Sequence, residues 1–164
     1  MRVGGSTNSP PMWVERRVAT VEDMEALGAS LASRLAPVRL IYLYGALGTG
    51  KTTLVRAILR GMGYRGKVKS PTFTLVEPYA IHDRAVYHFD LYRLKDAEEL
   101  EFIGLRDYVK NNNLCLVEWA ERGTGVLPPP DVDIRIRIAK DDDQRIVQLK
   151  ARSKQGAELL SGLK

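Results

Sequence analysis

Apolar residues along this chain change their spacing from segment to segment, and each change predicts an element. WVERRVAT (residues 13–20) is a short strand-like stretch. Thr20 precedes VEDMEALGASLASRLA, where early acids and apolar positions at helical spacing follow a residue able to cap, so a helix is expected. RLIYLY is a short β-prone run bounded by Pro37 and Gly45, the pattern of a buried strand. KTTLVRAILRGM then sets Leu54, Val55, Ile58, Leu59 and Met62 on one helical face, with Gly61 and Gly63 to end it.

Downstream, FTLVEPYA and RAVYHFDLYR are separated by a few polar residues and predict paired strands. KDAEELEF predicts a short helix broken by Gly104, LRDYVKN another turn or two, and LCLVEW a short apolar strand. After the connection GTGVLPPP, DVDIRIRIA and QRIVQLKA alternate apolar and charged residues on either side of an acidic turn. That alternation predicts an antiparallel hairpin with one wet face. Parallel and antiparallel pieces together predict an α/β fold, a mixed sheet flanked by helices in a single domain. Residues 1–12, rich in Gly, Ser, Asn and Pro, are expected to form a flexible N-terminal segment, and residues 13–164 the folded domain.

Composition narrows the function classes. At 164 residues and 45% hydrophobic, the chain has apolar material for one core. Its single cysteine, Cys115, sits in an apolar run and reads as a buried structural thiol, with no disulfide framework to imply an oxidising compartment. No apolar run approaches the ~20 residues that span a bilayer, and MRVGGSTNSPPMW lacks the apolar centre of a secretory signal. A cytoplasmic location without membrane contact is therefore expected. The net charge of +5 permits an acidic partner without demanding one, because no run of Lys and Arg is dense enough to read as an arm.

The chemistry enters between the second predicted strand and the following helix. Gly45, four residues, Gly50, Lys51 and Thr52 fit the phosphate-binding pattern G-x-x-x-x-G-K-[ST]. Its glycines let backbone N–H groups wrap around phosphate oxygens, and the helix N-terminus adds partial positive charge. Lys51 would reach the terminal phosphates and the Thr52 hydroxyl would ligate Mg²⁺. Such a site also needs an acid at the end of a neighbouring strand. VYHFD ends in Asp90 and LCLVE in Glu118, so two candidates stand, each also readable as an ordinary strand end. His82 and His88 have no metal-ligand arrangement and read as surface or core residues.

Taken in order, LIYLYGALGTGKTT, VKSPTFTLVEPY, VYHFDLYRL, LEFIGLRDY and LVEWAERGTGVLP closely resemble the TsaE (YjeE) family, over about residues 39–130. The resemblance implies a P-loop NTPase-like fold and a small bacterial Mg-dependent ATPase needed for N6-threonylcarbamoyladenosine (t6A) modification of tRNAs that read ANN codons. Partner proteins TsaB and TsaD are implied, with TsaC supplying the activated threonylcarbamoyl-adenylate and tRNA met indirectly through the complex. Carried over by position, Gly45, Gly48, Thr49, Gly50, Lys51, Thr52 and Thr53 would bind the phosphates of ATP. Thr52 and Glu118 would hold Mg²⁺, with Asp90 completing the acidic side. Ser70, Pro71 and Thr72 correspond to a switch-like segment facing the γ-phosphate and the partner, which gives Thr72 a catalytic role beside Lys51, Asp90 and Glu118. Trp119 is expected near the nucleotide and Thr20 at its adenine end, although Trp119 and Tyr79 read equally well as core aromatics.

Two positions depart from the family pattern: Ala46 stands where an acid is common, and Ala120 where proline is common. Backbone donors bind the phosphates, so nucleotide binding is expected to survive the loss of a carboxylate at position 46. Arg93 and Arg106 are the nearest candidates for an internal arginine finger, and each also reads as a surface or salt-bridging residue. The rival functions are a small-molecule kinase, which would need an arginine-bearing lid that this sequence lacks, and a nucleotide-responsive binding module.

Overall fold

The computed structural model describes residues 12–163, so the expected flexible segment lies outside the described residues except for Met12. In chain order the elements are β1 (Trp13–Val18), α1 (Val21–Ala32), β2 (Leu40–Tyr44), α2 (Lys51–Gly61), β3 (Val76–Ile81), β4 (Arg84–Asp90), α3 (Glu99–Ile103), α4 (Leu105–Tyr108), β5 (Leu114–Glu118), β6 (Val132–Ile138), β7 (Arg145–Ala151) and α5 (Lys154–Ser161). A 3₁₀ turn, Ala120–Gly123, follows β5. The strands form a seven-stranded mixed sheet in the order β1-β7-β6-β2-β5-β4-β3. β2 pairs in parallel with β5 and β6, and β4 in parallel with β5. The predicted pair β3–β4 is antiparallel, the hairpin β6–β7 is antiparallel as the alternation predicts, and β1 closes the edge antiparallel to β7.

β2 is apolar at every position because both of its faces are covered. Ile41 and Leu43 join a core built with α1, α2 and α5, while Leu40 and Tyr42 join a second core with α3, α4 and the 3₁₀ turn. Period-two alternation extends this division to the neighbours. Leu114, Leu116 and Val86 face the α1–α2 side, and Cys115, Val117 and Phe89 the other. Continuing the same alternation, His88 and Asp90 on β4 and Glu118 on β5 fall on the α1–α2 side at the carboxyl ends of parallel strands. In sheets of this kind that edge is where ligands bind.

α1 starts where expected: Thr20 accepts from the Asp23 N–H at 3.1 Å and Asp23 accepts from the Thr20 N–H at 3.2 Å, a reciprocal cap. It crosses α2 at Gly28, where an added Cβ would lie 2.8 Å from the Ala57 carbonyl carbon and 2.9 Å from the Ile58 nitrogen. Close helix contact at that point requires glycine. α1 ends at Ala32, earlier than the apolar spacing suggests, and residues 73–75 precede β3 as turns instead of extending it. α5 is absent from the sequence-based expectation. Ser153 caps it, accepting from the Gly156 N–H at 3.0 Å while its hydroxyl donates to Asp131 at 2.6 Å. Asp131 also accepts from the Arg39 and Leu40 N–H groups, so one carboxylate ties together the approaches to β2, β6 and α5.

Candidate active site

The loop between β2 and α2 puts its glycines in the left-handed region that favours glycine: Gly48 and Gly50 have φ of 78° and 111°. Gly50 is the N-cap of α2, so the first N–H groups of that helix point into the loop without intrahelical acceptors. The Thr49 hydroxyl donates to the Ala46 carbonyl at 2.9 Å, shaping the loop from inside. Lys51 is nearly buried, and its ammonium donates to the Gly45 carbonyl at 2.5 Å and to the Ala46 carbonyl at 3.1 Å. Burial pulls the Lys51 pKa below its ordinary value, and the charges of Glu118, Glu121 and Asp90 oppose that shift.

Across the loop stand both acids. Glu118, 2% exposed, has its two oxygens 3.0 and 3.1 Å from the Thr52 hydroxyl, which donates to one of them. Asp90 lies beside it in the β4–β5 register. One Asp90 oxygen accepts from the Tyr92 N–H at 3.0 Å and the other from the Thr72 hydroxyl at 3.2 Å, and Thr72 is in turn 2.8 Å from the Ser70 hydroxyl. Trp119 turns out of β5 with φ of 58°, unusual for a bulky residue, and the Lys51 ammonium sits 4.4 Å from the centre of its ring. A cavity of about 250 Å³ is lined by Gly48, Gly50, Lys51, Thr52, Thr53, Thr72, Asp90, Glu118 and Trp119 together with Leu47.

A second cavity, of about 220 Å³, lies on the α1 side of the same loop and shares Gly48, Gly50 and Thr53 with the first. Thr20 and Thr49 line this one, with Met24, Asp143 and Arg145. The Thr20 hydroxyl is committed to capping α1, which leaves its other atoms to shape the wall. Gly45 lines neither cavity and contributes its carbonyl to Lys51. Tyr79 is a core aromatic, edge-on to Tyr64 at 4.9 Å and bonded through its hydroxyl to the Lys69 backbone. Arg93 lies over the Phe73 ring at 4.3 Å, and Arg106 lines a separate cavity with Leu100 and Val126, so neither borders the cavity that holds Lys51.

Two site residues escape the sequence reading. Arg145 donates to the Thr49 and Gly48 carbonyls at 3.1 and 3.3 Å, bracing the loop from β7, and nothing near it in the sequence marks that role. His88, read above as surface or core, is fully buried, and its Nε2 is 2.5 Å from a Glu118 oxygen. Strand alternation was the available sign, since His88 precedes Asp90 by two and therefore shares its face.

The donor set suits an anionic nucleotide with Mg²⁺. Backbone N–H groups and one lysine face a cavity with two carboxylates and a hydroxyl, all oxygen ligands, and Mg²⁺ takes one or two carboxylates plus phosphates while keeping water.

Residues 18–147 match the family model for the threonylcarbamoyl adenosine biosynthesis protein TsaE. The tRNA threonylcarbamoyladenosine biosynthesis protein TsaE of Haemophilus influenzae is 52% identical over 122 residues, covering 74% of this chain and 76% of that protein. The protein of the same name from Bacillus subtilis is 36% identical over 130 residues, covering 79% and 81%. The crystal structure of Bacillus subtilis YdiB superposes with a TM-score of 0.80 at 29% identity, covering 93% of this chain and 95% of that one. The family model spans the glycine loop, both acidic strand ends and β6, and on this agreement the chain belongs to the TsaE family.

Proposed function

We propose that this chain binds ATP with Mg²⁺ and hydrolyses it slowly alone, and that with a TsaB–TsaD pair in the cytoplasm it supports repeated rounds of t6A modification of tRNA. The observation that carries the reading is the Thr52–Glu118 contact facing Lys51 across a single cavity. Residues 45–53 cradle the phosphates through backbone N–H groups, and Lys51 leaves its loop carbonyls for the terminal phosphates. Bound Mg²⁺ would neutralise charge on the phosphates, with Thr52 and Glu118 as the side chains that hold it. Asp90 accepts from water on the γ-phosphate side, and the Ser70–Thr72–Asp90 chain of hydroxyls links that acid to the switch-like segment. Phe73, next in sequence, is 83% exposed, and an exposed aromatic beside the site suits a partner that completes it.

Neither arginine candidate lines the cavity that holds Lys51, so the extra positive charge that speeds phosphoryl transfer is expected in trans. The test compares steady-state ATP turnover and multi-round tRNA modification for the chain alone, with TsaB–TsaD, and with Thr72→Ala plus TsaB–TsaD. Partner-stimulated turnover that Thr72→Ala loses supports the reading. Fast turnover in isolation, indifferent to partners and to Thr72→Ala, refutes it. Calorimetry on Lys51→Ala checks the first step, where loss of most ATP affinity is expected.

A further inference from the structure

We propose that His88 is a positioning residue that anchors one oxygen of Glu118 and thereby leaves the other directed at the Mg²⁺ side of the site. The inference rests on the Mg²⁺ reading of Glu118 given above.

Glu118 is 2% exposed, and a buried carboxylate without donors is costly. Its two oxygens are not equivalent. Oε1 lies 3.0 Å from the Thr52 hydroxyl. Oε2 lies 3.1 Å from that hydroxyl and 2.5 Å from His88 Nε2. An ionised carboxylate only accepts, so Nε2 carries the hydrogen and donates it to Oε2. Nδ1 is buried and has no hydrogen-bond partner among the described residues, where the one directed contact of the imidazole is that to Glu118.

The Thr52 hydroxyl has one hydrogen and cannot serve both oxygens at once. When that hydroxyl turns its lone pairs to a cation, its hydrogen is the only one it has left for Glu118. The histidine N–H then holds Oε2 in place, and Oε1 is the oxygen free to accept. The backbone reinforces the arrangement, because His88 and Glu118 sit on adjacent parallel strands on the α1–α2 side, with His88 opposite Leu116 in the register. A buried donor on β4, paired on both sides by β3 and β5, fixes the carboxylate more tightly than a mobile side chain would. Partners of this kind behind a metal ligand commonly change metal affinity by about 10–100-fold when removed.

The experiment measures ATP affinity by calorimetry with Mg²⁺ and with EDTA, and takes the ratio as the Mg²⁺-dependent gain. Thermal unfolding is recorded for each variant. His88→Met fills the space without a donor, and His88→Gln carries an amide N–H at nearly the distance of Nε2. The expected result is an EDTA affinity within about twofold of wild type for both, a gain reduced about tenfold or more in His88→Met, and a gain largely restored in His88→Gln. In a Glu118→Gln background the His88→Met change should have no further effect on the gain, whereas a packing role would add to it.

An unchanged gain in His88→Met overturns the proposal, as does equal loss in His88→Met and His88→Gln. If His88→Met does not fold, His88→Asn replaces it. Its amide is too short to reach Oε2 and should lose the gain that His88→Gln keeps, and equal gains in the two would sink the idea. Glu118→Gln separates this inference from the reading beneath it. If Glu118→Gln alone keeps the full gain, the Mg²⁺ role of Glu118 fails and the anchoring role falls with it. If Glu118→Gln loses the gain while His88→Met keeps it, only the histidine inference is wrong.

Discussion

Thr52 and Glu118, 66 residues apart in sequence, meet side chain to side chain, the threonine hydroxyl 3.0 and 3.1 Å from the two carboxylate oxygens. The contact joins the first turn of α2 to the end of β5, and losing a group that holds or orients a bound metal commonly costs about 10–100-fold in affinity. Thr52→Ala is therefore expected to weaken ATP binding in Mg²⁺ by about tenfold to hundredfold and to leave binding in EDTA close to wild type. Calorimetry under the two conditions decides it, and equal losses with and without Mg²⁺ would show that Thr52 acts on the loop and not on the metal.

Two glycines are predicted to fail for different reasons when substituted. Gly28→Val drives a branched side chain into the Ala57 and Ile58 backbone where α1 crosses α2, and should destabilise the fold by about 3 kcal/mol or more. Gly48 has no neighbour within 4 Å of an added Cβ, yet its φ is 78°, so Gly48→Ala should cost only about 1 kcal/mol of conformational energy. Urea unfolding of the two variants measures the difference. Equal destabilisation would contradict the crossing geometry at Gly28.

The loop was legible because its chemistry is contiguous: Gly45 through Thr52 lie within one strand-loop-helix unit, and periodicity assigns each part. Asp90 and Glu118 were legible because strand ends next to apolar runs announce themselves. His88 and Arg145 were not, for a physical reason. His88 reaches Glu118 only through the β4–β5 register, and Arg145 reaches Gly48 and Thr49 only because β7 returns beside β6. No local pattern encodes either pairing. α5 escaped because it buries little beyond Gly156, Leu159 and Leu160, too few apolar positions to set a helical period, and its cap depends on distant Asp131. α3 begins at Glu99, four residues after the predicted KDAEELEF starts, and Gly104, with φ of 76°, divides it from the single turn of α4 as the sequence predicts.

Cys115 gives a pH prediction whose sign follows from its burial. Burial raises the thiol from its ordinary 9.0 to about 12, partly offset by the Arg84 charge. A folded-state pKa above the unfolded one favours the folded state fully below the unfolded value, and that contribution is lost as pH rises through the folded value. Stability should therefore decline from about pH 9 towards 12, and Cys115→Ala should decline less steeply. Urea midpoints across that range test it, with native-state alkylation expected to be slow because Cys115 is buried in the second core. Tyr42, also raised by burial, adds its own alkaline loss, so the informative quantity is the difference between wild type and Cys115→Ala.

Trp119 offers a direct optical view of Lys51. The indole is held in the left-handed region at φ 58°, which costs a residue with a Cβ about 1–2 kcal/mol. Contacts recover that cost: its ring lies 5.0 Å from Tyr92, and the Lys51 ammonium sits 4.4 Å from its centre, a pairing stabilising by about 0.5–2 kcal/mol. When ATP draws the ammonium to its terminal phosphates, the indole loses a cation from its face, and its emission should change with saturation at the affinity found by calorimetry. Trp13, the only other tryptophan, is 59% exposed on β1, so Trp13→Phe isolates the relevant ring. In that background Lys51→Met should abolish both the ATP-dependent emission change and most of the binding. Trp119→Gly should relieve the backbone cost while removing the ring, leaving overall stability within about 1 kcal/mol of wild type but weakening ATP binding. Calorimetric ATP binding in Trp13→Phe with no change in emission would mean that Lys51 stays on the indole, and the route from loop carbonyls to phosphate assigned to it would be wrong.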